Sequence, residues 1–294
     1  MTNPKKFNGA LVINKPVGPT SHDMVYHCRR ILGKGIKVGH TGTLDPFASG
    51  VLVIVTGQAT RLARYIQSSS KQYIAEILLG QETDTYDREG TVVSKKNVPS
   101  LDEENIESLL NNFRGKQKQV PPMFSAVKIN GERLYKAARR NETIERSARG
   151  IEIFSLNLIE KSDNLLKVEV TCSAGTYIRS LAHDLGQKIG CGAHLASLVR
   201  TRSGSFTLEN AGDPEEMARD PEKFLVPMID LVPELPAVEL TRDEASLISH
   251  GRPLARTFDS ENPEFRLLHE NRLLPIASYD GILLHPKLVF PAKP

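Results

Sequence analysis

The chain has 294 residues and a net charge of +3, a length that predicts one large domain with a small companion, or two domains. No apolar run approaches the length that crosses a bilayer, and residues 1–6 lack the apolar core of a signal peptide. Its three cysteines are far apart and form no CxxC pair, which argues against a cysteine zinc site and favours reduced thiols in the cytoplasm. Composition therefore argues against a membrane protein and against a disulfide-stabilised secreted domain.

The N-terminal part predicts a strand, a helix and a second strand. Residues 10–13 form a short apolar run that indicates a buried strand, and residues 14–19 read as a turn. Ser21 is the predicted N-cap of a helix that ends at Gly33. The apolar run 51–55 predicts another buried strand.

A glycine-rich loop before this second strand carries one carboxylate, Asp45, and one imidazole, His40. Pro46 follows Asp45 and pushes its backbone out of the α region, towards an extended or turn conformation. Two interpretations are open on spacing alone. Asp45 is either an active-site acid presented by a rigid loop, or an ordinary turn aspartate.

The middle of the chain predicts a strand, a polar loop and a helix. Residues 71–79 alternate as a strand does, and the loop 80–90 contains several acids that do not fit the EF-hand pattern for calcium. Ser100 and Glu103 are a predicted capping box for a helix that ends near Gly115.

Residues 114–149 are strongly basic. They hold ten lysines and arginines and only three acids, a local charge of +7 in a chain of net charge +3. Such a segment is typical of a polyanion-binding surface, although a solvated loop would have the same composition. Pro121 and Pro122 argue against a central strand here.

The C-terminal half predicts two strands at 151–159 and 165–172, then a helix that ends before Gly190 and a short mixed segment at 194–202. The acidic stretch 209–222 is a predicted linker. Beyond it, Thr241 and Glu244 form a predicted capping box, and short apolar runs follow. Because strands and helices mix without a regular βαβ rhythm, the predicted class is α+β with a small β-rich tail.

Three further side chains are candidates for a site. Tyr177 and Arg179 lie near the first turn of the helix before Gly190, where Arg179 either pairs with a distant carboxylate or is solvated. Tyr73 is either a site residue or a core tyrosine with its hydroxyl at the rim. No Walker A, GxGxxG, GxSxG or HExxH motif occurs. The set fits nucleophilic carboxylate chemistry on a nucleic acid, without a metal or a cofactor.

Seven segments together resemble the bacterial TruB family of tRNA pseudouridine synthases, and the resemblance covers about residues 7–230. The segments are residues 14–18 (NKPVG), 39–46 (GHTGTLDP), 71–73 (KQY), 80–90, 119–122 (QVPP), 173–179 (SAGTYIR) and 192–195 (GAHL). The tail resembles the PUA-like RNA-binding module of these enzymes less specifically.

This resemblance implies a mixed, largely antiparallel sheet with flanking helices in a catalytic domain of residues 1–231. It also implies a thumb-like RNA-binding insertion at about 114–149 and a PUA-like module at 232–294. The implied reaction isomerises uridine-55 in the TΨC loop of tRNA to pseudouridine, without a cofactor, in a cytoplasmic monomer with no protein partner. The alternative from another class is a tRNA folding chaperone, and one protein can combine both activities. A glycoside hydrolase would ordinarily need a second carboxylate.

The resemblance also implies roles for single residues. Asp45 matches the nucleophile, Arg179 its ion-pair partner, and Tyr73 a residue that stacks on the base and moves a proton. Tyr177 and Leu198 would complete the base pocket, His40 would fill the space left by the flipped base, and Lys15 would support the loop or a phosphate. The basic insertion would contact RNA phosphates through Lys128, Arg133, Lys136, Arg139 and Arg140. Whether the carboxylate attacks C1′ or C6, or the base leaves first, is open.

Overall fold

A computed structural model describes residues 7–125, 127–129, 131–138, 140, 142, 144–258 and 262–290 of the chain. Within these residues, the strands up to residue 230 are β1 Gly9–Lys15, β2 Val38–His40, β3 Ser49–Thr56, β4 Lys71–Leu79, β5 Gln81–Thr83, β6 Val92–Lys95, β7 Gly115–Gln119, β8 Lys128–Ile129, β9 Glu132–Arg133, β10 Arg149–Lys161, β11 Leu165–Cys172, β12 Ala193–Ser203, β13 Phe206–Thr207 and β14 Leu225–Pro227. The strands of the tail are β15 Ala237–Glu239, β16 Leu254–Ala255, β17 Glu264–His269, β18 Arg272–Tyr279 and β19 Leu283–Val289.

One large sheet forms the body of the molecule. Its strand order is β14-β1-β3-β12-β4-β11-β10-β7, with β2 paired to β3 and β13 paired to β12. Its pairings are antiparallel except for a short parallel contact between β12 and β3. The predicted α+β class with a mixed, largely antiparallel sheet is confirmed.

The α-helices of the described residues are α1 Ser21–Leu32, α2 Ala63–Ser68, α3 Glu103–Asn111, α4 Leu134–Ala138, α5 Ile178–Ile189, α6 Pro214–Arg219 and α7 Arg242–Ser249. Short 3-10 turns occupy Gly57–Leu62, Leu208–Asn210 and Met228–Asp230. None of the helices in the described part of the chain is long and apolar enough to cross a bilayer.

Two predicted helix caps are wrong and one is confirmed. Thr20, not Ser21, caps α1 in a reciprocal box with Asp23, because the Ser21 hydroxyl instead bonds the backbone of Leu44. Helix α3 is capped by Asp102, which accepts from the Asn105 amide. The capping box that opens α7 is present as predicted.

The two faces of the sheet bury separate cores. One face packs against α1, α3 and α5 in a cluster that includes Leu52, Ile54 and Tyr73. The other face, with Val53 and Val55, packs against the tail. Strands β1 and β3 are buried on both faces, which explains their continuous apolar sequences, whereas β11 alternates buried and partly buried residues.

Two segments, predicted from the sequence as a short mixed run and as a linker, contain regular secondary structure. The mixed segment 194–202 is part of the eleven-residue strand β12, and register shifts in its pairing with β4 break the alternation that would have revealed it. The predicted linker 209–222 contains α6, and the following β14 pairs with β1. Asp213 caps helix α6, Pro214 is its first residue, and Glu215 and Glu216 lie in its first turn. The acids of this segment therefore belong to a helix start.

The tail forms a five-stranded sheet in the order β15-β17-β18-β19-β16. Helix α7 packs on it through Ala245 and Ile248. Ile276 and Phe290 extend the core behind the large sheet, so tail and body share one hydrophobic cluster.

Candidate active site

The loop between β2 and β3 presents Asp45 at the surface of the large sheet. The Ser21 hydroxyl donates to the Leu44 carbonyl at 2.9 Å and accepts from its amide at 2.8 Å. On the other side, the Gly18 amide donates to the Pro46 carbonyl at 2.8 Å. The Asp45 side chain keeps 30% of its surface exposed while its carboxylate faces Arg179. The loop is therefore clamped on both sides of Asp45.

Arg179, in the first turn of α5, is the centre of the polar site. Its Nε lies 3.0 Å from Asp45 Oδ2, and its Nη2 donates to Asp45 Oδ1 at 3.3 Å, so the pair is bidentate. Its Nη1 donates to Asp87 Oδ2 at 3.2 Å. With a side chain only 6% exposed, Arg179 is not the solvated surface arginine that spacing alone left open.

Two backbone carbonyls and a second carboxylate complete the environment of Arg179. Nη2 donates to the Phe124 carbonyl at 2.7 Å and Nη1 to the Thr85 carbonyl at 3.3 Å. The Asp87 carboxylate also accepts from the Thr85 hydroxyl and the Glu89 amide. Asp87 was not among the candidates selected from the sequence. Its signals were the cluster of acids in residues 80–90, which does not fit a calcium loop, and the place of that segment among those that carry the family resemblance.

Burial raises the pKa of the Asp45 carboxyl above the usual 3.8 of an aspartate, and the charge of Arg179 opposes that rise. Asp87 adds a like charge that raises the pKa of Asp45 further, and Lys15 lowers it. The ionised form of Asp45 therefore depends on Arg179.

Lys15 supports the Asp45 loop through hydrogen bonds to backbone carbonyls. It is fully buried at the end of β1 and donates from Nζ to the carbonyls of Pro16 and Pro19, both at 2.8 Å, and to that of Pro46 at 3.4 Å. Burial lowers the pKa of Lys15 to about 8. Of the two roles expected for Lys15, the observed contacts are those of loop support.

Tyr73 and Arg200 face each other across β4 and β12. Tyr73 is 8% exposed, and burial raises the pKa of its phenol, while the charge of Arg200 and a hydrogen bond from it oppose that rise. The Arg200 Nε donates to the Val51 carbonyl at 2.7 Å and its Nη2 to the Gly42 carbonyl at 3.1 Å. Arg200 was missed from the sequence, where it stands with Arg202 in the mixed segment 194–202 and no local pattern separates the two arginines.

Gly50 is the position where this packing requires glycine. Its φ is +105°, and a Cβ there would overlap the carbonyl oxygen of Arg200. Residues 50 and 200 pair in the parallel contact between β3 and β12. The glycine thus lets β12 approach the base of the Asp45 loop.

The other predicted base-site residues lie around this centre. His40 ends β2, and its buried Nδ1 has no hydrogen-bond partner among the described residues. Burial lowers the pKa of His40, and the charge of Arg200 lowers it further. Tyr177 caps α5, where its amide donates to Gln119 Oε1 at 2.8 Å. Leu198 is buried in the same core cluster as Tyr73.

The basic insertion is built from β7 at the sheet edge, the β8–β9 hairpin and α4. Lys128 and Lys136 are exposed on it. The Arg140 guanidinium pairs with Glu132 at 2.7 Å and Glu142 at 2.8 Å, which offsets its charge. Arg139 and the side chain of Arg133 lie outside the described residues.

Comparison of the fold with solved structures shows one architecture over nearly the whole chain. A chain in the crystal structure of a Cbf5–Nop10–Gar1 complex is 26% identical, with a TM-score of 0.75 over 99% of this chain and 89% of that one. A chain from the archaeal box H/ACA sRNP Nop10–Cbf5 complex, 24% identical with a TM-score of 0.71, shares the fold over 99% of this chain and 93% of its own. The fold is that of a pseudouridine synthase.

Family models and sequence relatives agree with that class. The model for the TruB family pseudouridylate synthase N-terminal domain matches residues 29–178, and that for the tRNA pseudouridylate synthase B C-terminal domain matches residues 179–220. A tRNA pseudouridine synthase B from Syntrophomonas wolfei is 41% identical over 96% of this chain and 98% of its own. One from Dehalococcoides mccartyi is 44% identical over 96% of each chain. The chain belongs to the TruB family, and it is an isomerase that forms pseudouridine in tRNA.

Proposed function

We propose that this enzyme isomerises uridine-55 in the TΨC loop of tRNA, with Asp45 as the nucleophile. The bidentate contact between Asp45 and Arg179, at 3.0 and 3.3 Å, is the observation that carries the proposal. A carboxylate that is oriented by a buried guanidinium and still 30% exposed is both ionisable and accessible to a substrate.

The reaction breaks the bond from C1′ of the ribose to N1 of uracil and forms one from C1′ to C5. The base turns between these two events, the C5 proton leaves and N1 gains a proton, so the composition of the nucleotide is unchanged. A carboxylate serves this exchange by attack at C1′, by attack at C6, or by stabilising the sugar when the base leaves first. All three routes require Asp45 ionised, and its contact with Arg179 supports that form.

A uridine inside a folded RNA loop must first leave its stack, which costs a few kcal/mol. The half-buried His40 side chain is suited to fill the gap, since its lowered pKa favours a neutral ring. Stacking of a base on an aromatic ring returns about 1–3 kcal/mol, a contribution we assign to His40 and Tyr73. Tyr177 and Leu198 complete the proposed base pocket, and Tyr73 is the proposed group that moves a proton.

Partner and organisation follow from the same proposal. Residues 1–231 would form the catalytic domain, and residues 232–294 a PUA-like RNA-binding module. The T stem-loop of tRNA would lie between the basic insertion 114–149 and the rest of the catalytic domain. Lys128 and Lys136 are exposed for phosphate contacts. We place the enzyme in the cytoplasm as a monomer.

A second activity as a tRNA folding chaperone is compatible with the geometry. Among the described residues, the polar partners of Arg179 do not include the exposed lysines of the insertion. Binding and opening of the RNA loop would therefore continue in a variant that lacks catalysis. Refolding of a misfolded tRNA by Asp45→Asn protein measures this activity on its own.

The positional claim is tested by mapping pseudouridine in unmodified tRNA after incubation with the purified enzyme. We expect a single modified position, residue 55, and no product in a matched transcript with cytidine at 55. Pseudouridine at another position, or undiminished product from the cytidine transcript, would contradict the assignment to uridine-55.

A further inference from the structure

We infer that Arg200 is a positioning residue for pseudouridine formation, because its guanidinium fixes the backbone of the Asp45 loop while its position on β12 pairs with Tyr73 on β4. The inference rests on the roles proposed above for Asp45 and Tyr73. It assigns to Arg200 a task distinct from that of Arg179, which contacts the Asp45 carboxylate itself.

Arg200 holds both arms of the loop. Its side chain is on β12, the residue is 2% exposed, and Nε donates to the Val51 carbonyl at 2.7 Å. Nη2 and Nη1 donate to the carbonyls of Gly42 and Thr43 at 3.1 and 3.4 Å. Two of these acceptors precede Asp45 in the chain and one follows it. The planar guanidinium therefore sets the distance between the two arms.

The backbone of Arg200 is held as firmly as its side chain. Gly50, which pairs with it, has no Cβ, so the two strands approach closely at this point. The pairing of β12 with β4 shifts register directly after Arg200, between residues 200 and 202. Such irregularities redirect side chains near functional sites.

Arg200 also sets the charge of the site. Among the described residues it forms no ion pair with a carboxylate, and its guanidinium donates to the backbone carbonyls of Val51, Gly42 and Thr43. A buried charge without a counterion acts on nearby titratable groups. It lowers the pKa of His40 and of Lys15, and opposes the effect of burial on Tyr73.

The test compares Arg200→Met and Arg200→Lys with a matched control, Arg202→Met. Arg202 lies on the same strand but donates to the Ser70 hydroxyl and the Gly204 carbonyl, away from the loop. Single-turnover pseudouridine formation at saturating tRNA is measured beside the Kd for tRNA. Because small misplacement of a reacting group is costly, we expect Arg200→Met to lose about 100-fold in rate with Kd changed less than about threefold. Arg200→Lys should lose about tenfold, since a lysine cannot reach all three carbonyls.

A second readout follows the His40 imidazole by NMR titration. The pKa of His40 should rise in Arg200→Met and stay low in Arg200→Lys, which retains the charge, and in the Arg202→Met control. An equal rate loss in the control, a rate in Arg200→Met close to that of the wild type, or an unmoved His40 titration would overturn the inference. If Arg200→Met does not fold, Arg200→Lys decides by its rate relative to the control. An Asp45→Asn enzyme with undiminished rate would refute the proposed role of Asp45 instead, and the comparison of the Arg200 variants with Arg202→Met would still decide the inference.

Discussion

At the scale of single residues, one arginine joins two carboxylates that compete for it. Arg179 contacts Asp45 and Asp87, and both contacts are largely shielded from solvent on the arginine side. Burial and the second carboxylate raise the pKa of Asp45, while the guanidinium lowers it. The balance makes the ionisation of Asp45 sensitive to any loss of charge or geometry at position 179.

Replacing Arg179 by lysine should shift the acid limb of the rate profile to higher pH. The proposed nucleophile acts ionised, so activity is lost as pH falls through the pKa of Asp45. A lysine at position 179 cannot make the bidentate contact, so it counteracts the effect of burial on Asp45 less than the arginine does. The pKa of Asp45 should therefore rise. Single-turnover rates at saturating tRNA between about pH 4.5 and 9 measure the shift. An acid limb that stays in place or moves to lower pH would show that Arg179 does not set the ionisation of Asp45.

At the scale of secondary structure elements, the site depends on the close approach of β12 to β3. This parallel contact is only two residue pairs long, Val199 with Ser49 and Arg200 with Gly50. It joins the strand that carries Arg200 to the strand that follows Asp45. A change at Gly50 should therefore affect both the stability of the fold and the geometry of the site.

Alanine at Gly50 should destabilise the fold by about 1–3 kcal/mol and lower activity in the protein that still folds. The added Cβ meets the Arg200 carbonyl, and the φ of +105° is unfavourable for alanine. Gly39→Ala is the matched control, since a Cβ there meets nothing within 4 Å. Urea denaturation measures both variants. Equal stability of the two would mean that the contact between β3 and β12 is not tight.

The elements themselves were predictable where a local pattern controls them. Buried strands β1 and β3 have continuous apolar sequences, and α7 is opened by a capping box in the sequence. Strand β12 was not predictable, because its register shifts against β4 interrupt the regular alternation of buried and exposed side chains along the strand. The acids of residues 209–222 read as a linker because composition does not separate a solvated linker from a helix start.

The site was predictable only in part, for a related reason. Asp45 and Arg179 lie in motifs that resemble a known family, and the structure places them in contact. Asp87 and Arg200 bind partners 92 and 149 residues away in the chain. Contacts of that kind are set by the topology of the sheet, and no local spacing in a single sequence indicates them.

At the scale of the whole molecule, charge is concentrated on the insertion 114–149, which has ten basic and three acidic residues. The basic side chains of the insertion differ in whether a carboxylate pairs with them. Lys128 and Lys136 are exposed, whereas Arg140 pairs with two glutamates. The lysines should therefore contribute more to RNA binding than Arg140.

The double variant Lys128→Ala, Lys136→Ala should weaken tRNA binding and reduce the salt dependence of the Kd. Removing one lysine–phosphate interaction lowers the slope of log K against log salt by about 1, so a decrease of up to about 2 is expected. Arg140→Ala is the control and should change the slope less, because its charge is already offset. A larger effect of Arg140→Ala than of the double variant would contradict this division.

Among the described residues, one buried cluster behind the large sheet joins the body to the tail. The core on the opposite face includes Tyr73 and the neighbours of Asp45, Leu44 and Phe47. The same sheet therefore supports both the proposed chemistry and the proposed RNA-binding tail. Whatever the tail contributes to binding, the role assigned to Asp45 concerns the chemical step alone.

That role is tested most directly by single-turnover pseudouridine formation with Asp45→Asn at saturating unmodified tRNA. The control is Asp184→Asn, a change at an exposed carboxylate on α5. Asparagine keeps the shape but cannot act as an ionised nucleophile, so we predict no detectable product while tRNA still binds, and product at the wild-type rate from the control. Pseudouridine formed by Asp45→Asn at the wild-type rate would contradict the assignment of Asp45 as the nucleophile.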